Sequence, residues 1–241
     1  MKMLLFYVRH GEPTYNPDEL TYLGHMQAMA VCKRLALFGV DKIYSSPCNR
    51  ALQTAEPLAK MLHQEITTLD FCNENEAYRD FSVDDPSYGR RFWCYLIPRI
   101  KRMFVSEEVR KLDREWYHYP GFPENRFKEG VERVAKETYA FMESLGYRHD
   151  AEKNCYQAIR PNDDRVALFA HEGFGNVFLS TLLDIPYPIF CTRFGMHHSG
   201  LSVIEIKEDQ EGYAIPQALM VGNDGHLYKE GLPLNYYGNK F

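Results

Sequence analysis

No stretch of this chain stays apolar for the roughly 18 residues that a bilayer-crossing helix needs, so no membrane partner is expected. Met1-Lys2-Met3-Leu4 has one lysine but no small-residue cleavage site, and it runs straight into an apolar segment. It does not read as a signal peptide, and the protein is expected in the cytoplasm. An excess of basic charge is also lacking. Lys and Arg number 28 against 33 Asp and Glu, a formal net charge of −5, so nucleic acid is not an expected partner. The six cysteines (Cys32, Cys48, Cys72, Cys94, Cys155 and Cys191) include no C-x-x-C pair, which argues against a zinc or redox motif and makes buried reduced thiols the default. None has an arginine six positions later, which excludes a thiol-phosphatase loop. There is no G-x-x-x-x-G-K-[ST], and Gly173-Phe174-Gly175 lacks the third glycine of a dinucleotide fingerprint. No repeat or low-complexity segment interrupts the chain. No metal ligand set and no cofactor are expected.

What the chain does have is an abrupt transition near its start. Leu4-Leu5-Phe6-Tyr7-Val8 is a continuous apolar run that stops at Arg9-His10-Gly11. Such a run reads as a buried strand of a parallel sheet, and ligands in open α/β sheets bind just beyond the carboxyl ends of these strands. On its own, Arg-His-Gly also fits a solvated corner. Glu12 to Pro17 is rich in turn formers and reads as loop. A helix follows to about Phe38, ended by Gly39, then a short strand over Val40–Ser46. A second helix starts with Ser46 or Asn49 available as its cap and reaches about His63, and Ile66–Leu69 makes a third strand. This β-α-β-α-β order predicts a mostly parallel central sheet covered by helices, an α/β class with a three-layer α/β/α sandwich.

The pattern breaks between 71 and 128. Asp80, Asp84, Asp85 and Pro86 read as loop, an aromatic and basic tract begins at Arg90, and Glu107 to Trp116 is expected as one helix. This stretch is too short to stand alone and reads as an inserted helical cap on a single domain spanning 1–241. Val131 to Leu145 is an amphipathic helix ended by Gly146. Residues 147–164 are expected as a hairpin insertion. Arg165–Ala170 is a second buried strand that stops at His171-Glu172-Gly173, as the first stops at Arg-His-Gly. A helix follows over Phe174–Leu183. His198-Ser199-Gly200 leads into a further strand, Ala214–Val221 pairs near the sheet edge, and the tail after Gly222 is turn-rich.

Two strand ends thus each deliver a histidine and a βα loop delivers Arg50. Guanidinium forks match phosphate oxygens and stay charged, and a neutral imidazole nitrogen can attack phosphorus and carry the phosphoryl group. Phosphoryl transfer otherwise needs mainly positioning and positive charge, which Arg9, Arg50 and His171 would supply without a metal.

In this the chain resembles the histidine phosphatase superfamily, whose best-known branch is phosphoglycerate mutase. Arg9-His10-Gly11 with Asn16 is similar to its R-H-G-x-x-x-x-N opening. Leu20-Thr21, Gly24, Gln27 and Ala28 are similar to L-T-x-x-G-x-x-Q-A. Ser45-Ser46 with Arg50-Ala51 and Gln53-Thr54-Ala55 is similar to S-S-x-x-x-R-A-x-Q-T-A, and Ala170-His171-Glu172-Gly173 to the second histidine motif. The resemblance implies that His10 is the phosphate-accepting nucleophile, that Arg9, Arg50 and His171 line the phosphate pocket, and that Asn16 is a further pocket residue. It also implies a carboxylate soon after the third strand as general acid, for which Glu74 is favoured and Glu76 is the alternative. His198, before Ser199-Gly200, is a further candidate to touch substrate. Pro13 stands where many members have threonine. Ala77-Tyr78-Arg79-Asp80 replaces the usual glycine-and-tryptophan signature, which weakens assignment to the mutase branch.

The expected function is a metal-independent phosphomonoesterase acting through a phosphohistidine on a small phosphorylated substrate. A mutase that returns the phosphoryl group to bound product, or a phosphate-binding module without turnover, are the alternatives. Arg90, Arg91, Arg99 and Arg102 read either as a grip for a second acidic group or as a solvated cap face. Trp93, Tyr95, Trp116 and Tyr119 read either as cap core or as an apolar wall for an organic leaving group.

Overall fold

The computed structural model describes residues 1–233; the end of the expected 1–241 span, and with it the last part of the turn-rich tail, lies outside the described residues. Strand β1 (Lys2–Arg9) is buried on both sides, as its unbroken apolar run requires. Met3, Leu5 and Tyr7 point into one core, and Phe6 and Val8 into another. Alternation along the strand therefore divides the molecule into two apolar layers.

Along the chain, β1 is followed by a small hairpin, β2 (Pro13–Tyr15) and β3 (Asp18–Leu20), where the sequence suggested loop. Then come α1 (Tyr22–Phe38), β4 (Lys42–Ser45), α2 (Asn49–Leu62) and β5 (Ile66–Thr68). Thr21 caps α1 by accepting from Gly24 N, and Gly39 ends it at φ 76°, a conformation that suits glycine. Neither Ser46 nor Asn49 is the N-cap of α2. Cys48 holds that position without a side-chain bond, and Asn49 is already helical.

The cap contains more regular structure than the sequence pattern suggested. It comprises α3 (Glu74–Phe81), the hairpin β6 (Ser82–Asp85) and β7 (Arg90–Trp93), α4 (Pro98–Phe104) and α5 (Glu107–Lys111). The helix expected over Glu107–Trp116 breaks after Lys111 and continues as a 3-10 segment, Asp113–His118. Next are α6 (Phe127–Ser144), the hairpin strands β8 (Tyr147–Asp150) and β9 (Cys155–Ala158), β10 (Arg165–Ala170) and α7 (Glu172–Leu182). A further helix, α8 (Tyr187–Arg193), was not anticipated; Pro186 and Pro188 masked it. The chain then forms β11 (Leu201–Lys207), β12 (Tyr213–Ala214), β13 (Gln217–Asn223) and α9 (Gly225–Lys229).

The central sheet has six strands in the order β13-β11-β1-β10-β4-β5. β1, β10, β4 and β5 run parallel, and β11 is antiparallel to both of its neighbours. The expected segment Ala214–Val221 is thus split. Ala214 pairs with β9 in a separate small sheet, while β13 forms the edge of the main one. α1 and α2 cover one face through Val31, Leu35, Ala55 and Leu58. α6 and α7 cover the other through Phe141, Phe174, Val177 and Phe178. This is the expected α/β/α layering. Among the described residues no helix is long and apolar enough to cross a membrane.

The cap shares a continuous core with the sheet. Trp116, Phe104, Phe127 and Phe81 pack with Tyr187 of α8 in one cluster with Leu5 and Tyr7. Asp80 ties α3 to α6. It was expected in a loop, yet it lies in α3 at 1% exposure, because its carboxylate is held by Arg79, Arg126 and Arg133. Burial alone would raise its pKa, but the hydrogen bonds from Arg79 and Arg133 hold it below the ordinary value. Gly130 permits the approach, since a Cβ there would stand 2.7 Å from the Asp80 Cβ. Removing the carboxylate leaves converging arginines uncompensated. Asp80→Ala is expected to lower unfolding free energy by about 3 kcal/mol, read as a fall in the urea midpoint, with Asp80→Asn recovering part of it.

Candidate active site

His10 leaves the carboxyl end of β1 and His171 that of β10. The two strands pair in parallel with Arg9 opposite Ala170, so the next residues emerge side by side. Their rings stand 5.2 Å apart between centroids, and both are buried. His198 approaches from the other side, its ring centroid 5.6 Å from that of His10.

The motif residues around His10 hold its loop. Gly11 and Gly24 touch through bare backbone; a Cβ on Gly11 would stand 2.5 Å from the Gly24 carbonyl oxygen. Thr54 Oγ1 accepts from Gly11 N at 3.0 Å and donates to the Arg50 carbonyl at 2.7 Å. Gln27 accepts from Glu12 N at 2.8 Å. These contacts give a physical reason for glycine, glutamine and threonine at those positions.

A hydrogen bond to a carbonyl sets the tautomer of His10. His10 Nδ1 lies 2.7 Å from the Gly11 carbonyl. That oxygen can only accept, so Nδ1 carries the proton and the lone pair stands on Nε2. His171 Nε2 lies 2.7 Å from Ser46 Oγ, which itself accepts from Cys48 N. Among the described residues, buried Nδ1 of His171 and Nε of Arg9 and Arg50 have no hydrogen-bond partner. Each arginine is aligned through its other end. Arg9 Nη1 binds Glu172 at 2.7 Å and the Met196 carbonyl at 2.6 Å, and Arg50 Nη1 binds Asp18 at 2.6 Å.

Glu74 opens α3, with Asn73 as the cap. Its oxygens accept from Gly173 N at 3.3 Å and Phe174 N at 3.2 Å. Burial pushes its pKa up to about 7, against the lowering effect of those amides and of Arg50 and Arg9. Burial, reinforced by Arg9, pushes His10 well below the ordinary imidazole range. Burial and the neighbouring His10 do the same to His171. His198 is lowered to about 3 by burial and Arg9. At neutral pH the site therefore holds neutral imidazoles beside two fixed cations.

A cavity of about 740 Å³ opens in front of His10. Arg9, His10, Arg50 and Glu74 line it; His171 and His198, both expected at the substrate, are not brought to the lining and pack against the His10 ring instead. Glu76 is not brought to the lining; it pairs with Arg79 at 2.6 Å. Asn16 is exposed at the tip of the β2–β3 hairpin, and this hairpin lines the cavity with Tyr15 and Asp18. Asp18 carries no sequence signal of its own. Glu172 lies inside the second histidine motif and was legible as a neighbour but not as the partner of Arg9. Arg90 reaches the cavity, whereas Arg91 braces its own hairpin through Ser82 and Arg99 pairs with Asp85. Trp93 and Tyr95 line the cavity, while Trp116 is core. Five cysteines are buried and Cys48 is only partly so. Among the described residues no group of three or more His, Cys, Asp or Glu is placed to hold a metal ion.

Comparison with known proteins agrees with this geometry. Residues 5–77 match the model of the histidine phosphatase superfamily (branch 1). A protein of Hydrogenobacter thermophilus named "Putative phosphoserine phosphatase 2" is 27% identical over 154 residues, covering 60% of this chain and 68% of that protein. Among solved structures, a phosphoserine phosphatase from Entamoeba histolytica in complex with 3-phosphoglyceric acid aligns with TM-score 0.57 and 19% identity, over 93% of this chain and 99% of the other. A mycobacterial glucosyl-3-phosphoglycerate phosphatase aligns with TM-score 0.58 and 18% identity, over 92% and 99%. By the family match residues 5–77 carry the histidine phosphatase signature, and these relatives are phosphatases.

The raised Glu74 pKa is directly measurable. Infrared difference spectra should show a protonated carboxyl stretch that disappears as pH rises through about 7 and that is missing in Glu74→Gln. A carboxyl already ionised at pH 5 would contradict the burial argument.

Proposed function

We propose that this protein is a phosphomonoesterase that works through a phosphohistidine on His10, with a small phosphorylated metabolite as substrate. The observation that carries the reading is the set of buried nitrogens with no partner among the described residues, Arg9 Nε, Arg50 Nε and His171 Nδ1, around a neutral His10. A phosphoryl group supplies the acceptor oxygens that such nitrogens lack.

In the first step the lone pair on His10 Nε2 attacks phosphorus and the bond to the ester oxygen breaks. Glu74, protonated below about pH 7, gives its proton to the departing alkoxide. In the second step the Glu74 carboxylate takes a proton from water, whose oxygen attacks the phosphohistidine. Inorganic phosphate leaves, and His10 and the acid are restored. Arg9, Arg50 and His171 hold the equatorial oxygens throughout and offset their developing charge. Fixed cations already occupy the place where a metal would act, so turnover in EDTA is expected. The phosphatase relatives and the altered segment Ala77–Asp80 both favour hydrolysis over a mutase cycle.

Two outcomes test this. His10→Ala should lose at least about 10³-fold in kcat, on the scale of a lost covalent nucleophile. An acid-labile, base-stable phosphoryl label should form on the native protein and not on the variant; full activity in His10→Ala would sink the mechanism. The second test is pH. Since Glu74 must be protonated to act, kcat/KM for alkyl phosphates should fall as pH rises through about 7. Glu74→Gln should cost about 10²–10⁴-fold on those esters and far less on 4-nitrophenyl phosphate, whose leaving group needs no proton.

A further inference from the structure

Beyond the phosphoryl pocket, the cavity wall is aromatic. We propose that this wall is a subsite for a flat aromatic leaving group, so that the preferred substrates are phosphate esters of alcohols bearing an aromatic ring. The inference rests on the phosphomonoesterase reading above and specifies what that site selects.

The geometry begins at the general acid. Glu74 and Tyr78 are four residues apart on α3 and share one face of that helix. An ester oxygen protonated by Glu74 therefore has Tyr78 one turn further along the wall. Trp93, at the end of β7, packs edge-on against Tyr78 at 5.1 Å between centroids, and Tyr95 lies 5.4 Å from Trp93. Phe92, Leu96 and Tyr15 also line the cavity. The indole is also pressed against the catalytic loop. A Cβ on Gly173 would overlap the Trp93 ring, so only glycine lets the wall come this close. Gly173 N is itself bonded to Glu74. The acid, the catalytic backbone and the aromatic wall form one contact set.

The polar groups narrow the choice of occupant. Arg9 and Arg50 are aligned on Glu172 and Asp18. The Tyr78 hydroxyl donates to the Arg91 carbonyl at 2.7 Å. Arg90 lies 5.5 Å over the Phe92 ring. Beyond the phosphoryl pocket the polar groups of the lining are Asn75, Arg90 and the hydroxyls of Tyr15 and Tyr95, set among aromatic faces. A sugar or an amino acid brings several hydroxyl, ammonium or carboxylate groups, and those set against the ring faces of Tyr78, Phe92 and Trp93 would lose water without replacement. A ring brings none, and gains offset-stacked or edge contacts with the wall. About 740 Å³ falls in the range that encloses ligands of drug size, roughly 300–1,000 Å³.

The test compares benzyl phosphate with 2-methoxyethyl phosphate, whose leaving alcohols have similar acidity, together with phosphoserine and 3-phosphoglycerate. We expect kcat/KM for benzyl phosphate to exceed each of the others at least tenfold, mainly through KM. In Trp93→Ala the benzyl-to-methoxyethyl ratio should collapse toward one, and Trp93→Phe should keep most of it. A ratio near one in the native protein would overturn the proposal. So would a preference for phosphoserine or 3-phosphoglycerate, or a ratio that survives in Trp93→Ala. If no ester is hydrolysed, the catalytic reading fails separately, and the subsite is then judged by binding. Calorimetry with benzylphosphonate and methylphosphonate should show at least tenfold tighter binding of the benzyl compound, and equal binding would overturn it.

Discussion

The parallel pairing of β1 with β10 is the constraint on which the site depends. It fixes Arg9 opposite Ala170, and His10 N donates to the Ala170 carbonyl at 2.9 Å. The two histidines consequently leave the same sheet edge with their rings in contact distance. β10 separates β1 from β4, so Ser46 at the end of β4 reaches His171 from its other side. One-residue slippage along this pairing would carry the β1 side chains to the opposite cores and pull the histidines apart. The buried alternation of Leu5 and Tyr7 against Phe6 and Val8 opposes that slip, so the packing of the two cores also aligns the chemistry.

Burial then does two opposite things to charge. It drives protons off His10 and His171 and onto Glu74, because each charged form loses hydration. The arginines cannot follow, since guanidinium keeps its proton. The result is a neutral imidazole and a neutral carboxyl beside permanent cations, the state of charge that the proposed reaction of a phosphate ester calls for. Glu172 and Asp18 hold each guanidinium by one end. Their charge costs some attraction for an anion, and in return the donors that remain are pre-aligned rather than mobile.

The sheet and most of the site were legible because their signals are local. An unbroken apolar run ending in Arg-His-Gly marks a buried strand and its functional end at once, and the second run ending in His-Glu-Gly repeats it. The helix spacing after Gly24 and Gly39 at the end of α1 were equally direct. The cap was less readable for a reason seen in Asp80. A carboxylate is ordinarily a surface or loop residue, and nothing adjacent in sequence announces Arg126 and Arg133, which bury it. α8 was hidden by Pro186 and Pro188, which read as breakers but here sit at a helix start where no amide donor is lost. Which of Glu74 and Glu76 faces the cavity depends on which face of a short helix meets α7, a tertiary fact. Asp18 on Arg50 and Glu172 on Arg9 are likewise pairings across distant segments, invisible to spacing.

Gly173 joins the legible part to the illegible one. Sequence places it in the second histidine motif, where its backbone N–H meets Glu74. Only the fold shows that its missing side chain is also the bed of Trp93. A side chain at that position would push the indole away from the acid and open the cavity wall at the point where a leaving group departs. On the proposed reading, the same residue couples the protonation of the ester oxygen to the shape of the space behind it. The proposed phosphoryl pocket comes from the sheet edge and the wall from the inserted cap. That division lets a fixed chemistry be joined to a cap of different composition, and here the composition is aromatic.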